Sequence, residues 1–431
     1  MNNYSRKRTK ALGVWELIAI ALGGMVGGGI FSILGISVEQ IGNLAPVAIG
    51  IGGGLAFLAA YSYVKLALLY KDPGATYTFF KRAFPRHKKA SSAVGWLIIF
   101  GYISTLALYG FTFSSYFCSF FESLNNPAGQ KIAAGCIIGL FMLINITSVA
   151  GMGKLEDLMV YTKIGILLVI SALLGWKGDL KNIQPLLEPS TSWSAIFVVA
   201  AMTFVAYEGF QLVINAYDEM KAPEKNIPRS IYTSVGIAAF LYILLSTAAL
   251  STIPKSEIIA DKEYALAAGA SEFLGSFGQF IVIFGALLAT SSAISGTLFG
   301  SSRLVAVVAK DGFLPAVLGK KIKTYIPAYA IVLMSVMAYL LILSGGLQVI
   351  LEFGSITFIL VSLLMAYGNY RKRKETKSSQ LMALLAISGL AMAGLLILYF
   401  EYTHNTQQLL YILGIYALLA LGSYMYSRKR A

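Results

Sequence analysis

Two ionisable side chains stand inside apolar runs where an unpaired charge is unfavourable. Lys163 lies in DLMVYTKIGILLVISALLG and Glu208 in FVAYEGFQ. A lysine at the centre of a membrane helix costs about 2.5–3.5 kcal/mol on insertion scales, so such a residue usually faces a cavity or a partner. Removal from water disfavours an ammonium, and an amine so placed can exchange a proton near neutral pH. The chemistry this offers is proton coupling. A fixed ammonium fills a cation site when charged and vacates it electrically when neutral. That also argues against a sodium ion at the same place. The competing reading is a lysine that snorkels to the interface, since Asp157 lies only about two helical turns away. Glu208 has three readings: a counter-charge for a cationic substrate group, a second protonatable site, or a buried acid serving structure only.

A second kind of chemistry is carried by backbone. In GGMVGGGIF, Gly23 to Phe31, five of nine residues are glycine. Each glycine in a helix interior costs about 1 kcal/mol relative to alanine, so this run predicts a break. A second irregular stretch, Phe204 to Gln211, contains Gly209 and continues into NAYDEMKAPEKNIPR. Unwound backbone at membrane depth presents N–H and C=O groups that lipid cannot satisfy and a ligand can. Half-helix N-termini suit a carboxylate, and carbonyls suit an ammonium. An α-amino acid carries both groups. The alternative is that the glycines only let helices pack closely.

These groups need apolar helices to hold them, and the composition supplies them. The 431 residues are 57% hydrophobic and 13% charged, with a mean hydropathy of +0.72. Twelve candidate spans follow, near 12–38, 44–70, 91–121, 131–150, 155–176, 193–219, 229–252, 275–308, 327–345, 347–369, 379–400 and 406–427. Each is long enough to cross a bilayer as a helix. The fold class is all-α polytopic membrane protein, and the runs lack the alternation of a barrel. One break falls in the first span of spans one to five, the other in the first span of spans six to ten. Paired interruptions of this kind point to a secondary-transporter site built on inverted repeats. A unit of five spans re-enters from the opposite side, so inversion follows from the count. The expected organisation is one transporter domain over 1–431, with repeats at 12–176 and 193–369 and two additional helices at 379–427.

The net charge of +14 does not signal nucleic acid. With the N-terminus inside, most basic residues fall in inside segments: Arg6, Lys7, Arg8 and Lys10; Lys71 to Lys89; Arg371 to Lys377; and the tail from Arg428. Outside segments hold only Lys131, Lys177, Lys181, Lys255 and Lys262. This is the positive-inside pattern. It predicts a multi-pass protein of the cell membrane with both termini cytoplasmic. The first apolar run is too long for a signal-peptide core. Cys118 and Cys136 read as buried thiols, and His87 and His404 as loop residues, so no metal site or cofactor is expected. Lys65, Glu16 and Glu352 read as structural or as reaching the interface. The charges from Asp218 to Arg229 read as an inside gate latch or a solvated loop. The tyrosines read as packing and interface anchors. Ile253 to Gly275 reads as an amphipathic helix, either a lid over the outer vestibule or a surface linker.

The glycine signature GGMVGGGIF, with Ser32 to Gly35 after it, resembles the first span of the amino acid–polyamine–organocation (APC) superfamily. The resemblance continues through FVAYEGF, PEKNIPR (Pro223 to Arg229), GALLATSSAISG (Gly285 to Gly296) and AKDGFLP (Ala309 to Pro315). Within the superfamily the chain looks like the proton-coupled ApcT-like amino acid permeases. The resemblance implies a LeuT-type fold of five plus five inverted helices with two more. It also implies alternating access for amino acids or related amines. Gly27, Gly28, Gly29 and Ile30 match the segment that receives the substrate carboxylate. Phe204, Tyr207, Glu208, Gly209 and Phe210 match the unwound part of span six, whose carbonyls take the amine. Val205 stands where many members carry an aromatic gate. Lys163 matches a lysine whose ammonium lies between first-span carbonyls around Gly23 and Gly24 and span-eight hydroxyls of Ser291 and Ser292.

The leading functional reading is proton-coupled symport of an amino acid. Its partners are then the substrate, a proton and the bilayer, with no nucleic acid. An exchanger of amino acids or polyamines and a non-transporting sensor are the alternatives. No GxxxxGK[ST] motif is present for direct ATP drive, no filter ring marks a channel, and no nucleophile–base spacing marks an enzyme.

Overall fold

The structure, a computed structural model, describes residues 12–147, 152–186, 192–261, 264–321 and 326–428. The chain folds as α1 (Val14–Met25), α2 (Gly28–Ile41), α3 (Ala45–Tyr70), α4 (Ala75–Ala83), α5 (Lys88–Ser119), α6 (Pro127–Thr147) and α7 (Met152–Lys177). There follow α8 (Trp193–Met202), α9 (Leu212–Asn215), α10 (Pro223–Thr252), α11 (Lys255–Ala260), α12 (Ala265–Lys310), α13 (Ala328–Ser344), α14 (Leu347–Arg371), α15 (Arg373–Thr376), α16 (Gln380–His404) and α17 (Thr406–Arg428). Among the described residues, ten helical stretches are long and apolar enough to cross a membrane, and one of them, Gly28–Tyr70, holds both α2 and α3. The shorter apolar helices Val14–Met25 and Ala328–Ser344 complete the first crossing and form the ninth. The twelve expected spans are all recovered. The Arg6–Lys10 cluster, Lys262 and the basic tail beyond Arg428 lie outside the described residues.

The first and sixth crossings are interrupted, as the glycines predict. Helix α1 stops at Met25 and α2 restarts at Gly28. Helix α8 stops at Met202, a tighter turn covers Thr203–Tyr207, and a short α9 begins at Leu212. Gly209 takes φ 129°, a left-handed value that a side chain opposes. Helix α1 packs among α7, α10 and α12, and α2 packs against α5 and the turn after α8, so both breaks lie inside the bundle.

Span eight departs from its expected limits. Helix α12 has 46 residues, roughly 70 Å at the helical rise, against a hydrocarbon core of about 30 Å. It bends at Gly275, where φ is 70°. The expected single amphipathic helix is therefore two pieces: α11, and α12 as far as Gly275. They bury Ile258, Leu266 and Ala270; α11 packs on α2, and α11 and α12 pack on each other. This burial favours the lid over the surface linker. The expected inside loop after span two also contains a helix, α4, which buries Tyr77 and Phe79.

Candidate functional site

A helix that ends inside a membrane leaves its last carbonyls without partners. Each of the last four of α1 is met here by a different group. The Leu22 carbonyl accepts from Val26 N at 2.8 Å. Lys163 Nζ donates to Gly23 O at 3.1 Å, Tyr109 Oη to Gly24 O at 2.6 Å, and Tyr242 Oη to Met25 O at 2.7 Å. Lys163 is fully buried, which excludes the snorkelling reading, and also donates to Ser292 Oγ at 3.4 Å. Its ammonium thus joins α7 to α1 and α12. Ser291 is half-buried next to Ser292 in the chain. The side chain of Asp157 lies outside the described residues.

The opposite polarity faces α2. Gly27 is its N-cap and no side chain caps it, so the first amides, from Gly28 to Ile30, have no intrahelical acceptor. The three glycines are closely packed. A Cβ on Gly27 would lie 2.6 Å from Ala293 Cβ and Tyr109 Cε1, one on Gly28 2.7 Å from Thr112 Oγ1, and one on Gly29 2.8 Å from Ala206 Cβ. The last contact belongs to the second break, and the two breaks meet again at Gly24 and Gly209. A Cβ on Gly209 would fall 2.5 Å from Gly24 C. Tyr242 Oη also donates to Ala206 O at 3.0 Å, so one phenol holds both breaks.

The span-six residues divide. Phe204, Tyr207, Glu208, Gly209 and Phe210 are all buried. Tyr207 Oη turns to α3 and donates to Ile49 O at 2.8 Å, and Phe210 meets Tyr63 edge-on at 5.4 Å. Glu208 Oε2 accepts from Gln211 Nε2 at 2.5 Å, while Glu208 Oε1 is buried without a hydrogen-bond partner. Val205 packs beside Gly354 of α14. Ser355 Oγ, on the same helix, donates to Met202 O at 2.6 Å and so caps α8.

Three partners at the breaks, Tyr109, Tyr242 and Ser355, escape the sequence reading. A buried phenol generally finds a hydrogen-bond acceptor, and that was the available signal. Tyrosine here is not only a packing residue or an interface anchor. Cys118 is buried as expected, but Cys136 is exposed on the outer face of α6. Glu16 lies exposed and accepts from Gly13 N. Lys65 donates to Lys377 O at 3.1 Å, a structural contact. Glu352 does not reach the interface; it is fully buried.

Contacts gather at both ends of the broken spans. At one end, Leu12 N donates to Glu219 O at 3.1 Å and Lys221 N to Leu12 O at 2.8 Å. The latch therefore includes backbone bonds as well as a charge of the Asp218 to Arg229 stretch. Beside it, Lys71 pairs with Glu224 at 2.9 Å. Asp311 accepts from Tyr77 at 2.6 Å and Lys81 at 2.8 Å. At the other end, α11 packs on α2.

Twelve helical crossings among the described residues, with two interrupted helices in contact and one of them ended by a buried lysine, define a polytopic membrane transporter. The chain belongs to the amino acid permease family, whose model matches residues 12–421. It is similar to an uncharacterised protein of Methanocaldococcus jannaschii, with 28% identity over 402 residues, 92% of this chain and 91% of that one. It is also similar to the inner membrane transport protein YbaT of Escherichia coli, with 28% identity over 433 residues, covering 100% and 99%. The branched-chain amino acid permease BcaP of Bacillus subtilis is 25% identical over 408 residues, covering 89% and 86%. The protein is accordingly a transporter and not an enzyme.

Proposed function

We propose that the protein is a secondary active importer of amino acids, working by alternating access and driven by protons through Lys163. The observation that carries this is the buried ammonium bonded to the Gly23 carbonyl and to Ser292. Neutralising it removes a charge-assisted bond that ties α1 to α7 and α12, so protonation state and helix position are linked. The uncapped amides at Gly28 to Ile30 receive the substrate carboxylate. The break at Phe204 to Phe210 receives the amine. The named substrates of relatives such as BcaP support an amino acid as cargo. The halves 12–176 and 193–369 move against one another, 379–427 stays peripheral, and both termini face the cytoplasm.

A second reading rests on the unpartnered Glu208 Oε1. A carboxylate oxygen at the span-six break suits a cationic amine, and with it an exchanger.

The test is uptake of labelled amino acids and amines into liposomes, with and without an inward proton gradient, for wild type and Lys163→Ala. Gradient-stimulated uptake that disappears in the variant while substrate binding survives is the expected result. Uptake that ignores the gradient and requires internal substrate favours the exchanger. Binding without flux means a sensor.

A further inference from the structure

A second buried acidic group lies away from the breaks, where α14, α16 and α17 meet. Glu352 of α14 and Glu401 of α16 are both fully buried, and their carboxyls lie against one another. The two are not equivalent. Glu352 Oε1 accepts from Gln348 Nε2 at 2.8 Å, and its Oε2 accepts from Gln408 Nε2 of α17. Neither oxygen of Glu401 receives an amide, hydroxyl or ammonium donor. Two ionised carboxylates side by side in an apolar surround repel and cannot bond. A single proton between them turns the contact into a hydrogen bond. The partners say where that proton belongs. Glu352, with a donor on each oxygen, is the acceptor, and Glu401, with none, is the acid that donates.

We propose that Glu352 and Glu401 form a second proton-binding site, separate from Lys163, which holds one proton as a carboxylic acid–carboxylate pair. His404 stands one helical turn beyond Glu401 on the same helix. The packed helices bring other ionisable groups to this half of the bundle. Tyr411 and Tyr416 of α17 are bonded to Ser344 and Thr357. Helix α5 brings Tyr109, Tyr116 and Cys118, α13 brings Tyr339, and α8 brings none. The half-buried Gln348 and Gln408 separate the pair from the exposed turn at 402–404, a short path for proton exchange. Given the proposed orientation, that turn faces outside.

The pair is also mechanically placed. Within one turn along α14, Gly354 packs against Val205 and Ser104, and Ser355 caps α8 at Met202. Loss of the proton sets like charges against one another across α14 and α16, and α14 carries that strain to the edge of the span-six break.

The test is infrared absorption of the purified full chain at neutral pH, in the carbonyl-stretch region of protonated carboxylic acids. Wild type is expected to show one band that Glu401→Gln loses, that disappears on alkalinisation, and that ignores added sodium. Spectra of wild type and Glu401→Gln that coincide there would overturn the proposal, as would a band that sodium removes at constant pH, which would mark a cation site. Should Glu401→Gln not fold, Glu352→Gln is expected to keep the band but shift its frequency, because the acid then bonds to an amide and not to a carboxylate; an unchanged frequency sinks the idea. The measurement needs no transport. Gradient-independent uptake would refute coupling through Lys163 and leave this band untouched.

Discussion

Tyr242 does at the breaks what regular secondary structure does elsewhere. Its hydroxyl serves Met25 O and Ala206 O, one carbonyl from each interrupted span, and Met25 O has Gly27 N as a further donor. Tyr242→Phe therefore strips Ala206 O of this side-chain donor. A buried acceptor left unpaired costs about 1–3 kcal/mol, and thermal unfolding of the solubilised protein should register that loss. An unchanged midpoint would mean that the bond carries no weight. Glycine gives a paired contrast. At Gly209 a methyl would fall 2.5 Å from the Gly24 carbonyl carbon, and the backbone at φ 129° opposes any side chain. Overpacking alone costs about 1–3 kcal/mol. Nothing lies within 4 Å of a Cβ at Gly414. Gly209→Ala should unfold at lower temperature, and Gly414→Ala, which gains a better helix former in open space, should unfold no lower than wild type. Equal behaviour of the two would show that the breaks do not touch.

Among the elements, the breaks were legible because glycine's penalty in a helix shows in composition alone. Their ties were less so. Tyr109 reaches Gly24 and Tyr242 reaches Met25 across large sequence separations, and a tyrosine in an apolar run reads like any packed aromatic. Glu352 was placed near a span end because its buried neighbour Glu401 comes from another helix. The segment before span eight was legible as an element but not as two pieces, since Asp261 to Tyr264 hold no glycine or proline to mark the interruption. That lid carries its own pH response. On α11, partial burial together with the Glu272 carboxyl holds Glu257 above the ordinary carboxylate range. An acid whose folded value is raised binds its proton more tightly when folded, so its contribution is greatest in acid and is lost as pH rises through the folded value. The lid should therefore be tighter in acid than at neutral pH. Hydrogen exchange of 255–260 and 265–274 should slow on acidification, beyond the intrinsic effect, and Glu257→Gln should abolish the difference. An equal response in the variant would assign the effect elsewhere. The group is largely exposed, so the change will be small.

At the scale of the whole molecule, the basic loops gather at one end of the bundle. Arg371 lies over Phe84 at 5.6 Å, Lys89 over Tyr424 at 5.1 Å, Lys65 donates to Lys377 O, and Lys71 pairs with Glu224. Contacts that tie these loops together also give the positive-inside reading a physical surface, the one that meets the cytoplasm in the proposed orientation. In the proposed mechanism, a substrate and a proton can be taken up together only if one event opens each end in turn. Lys163 is suited to that because its ammonium is bonded to the broken helix itself. Coupling to one proton, as proposed, sets a limit that can be measured. One charge crossing 100 mV is worth about 2.3 kcal/mol, so a neutral substrate moving with one proton can accumulate roughly fiftyfold at that potential. In sealed liposomes with an imposed potential, negative inside, and no pH difference, the wild-type ratio should approach this ceiling and fall as the potential is collapsed. Lys163→Ala, if it still moves substrate, should equilibrate it to a ratio near one at every potential. Accumulation by the variant equal to that of wild type would place the coupling charge elsewhere, with Glu208 the first group to test.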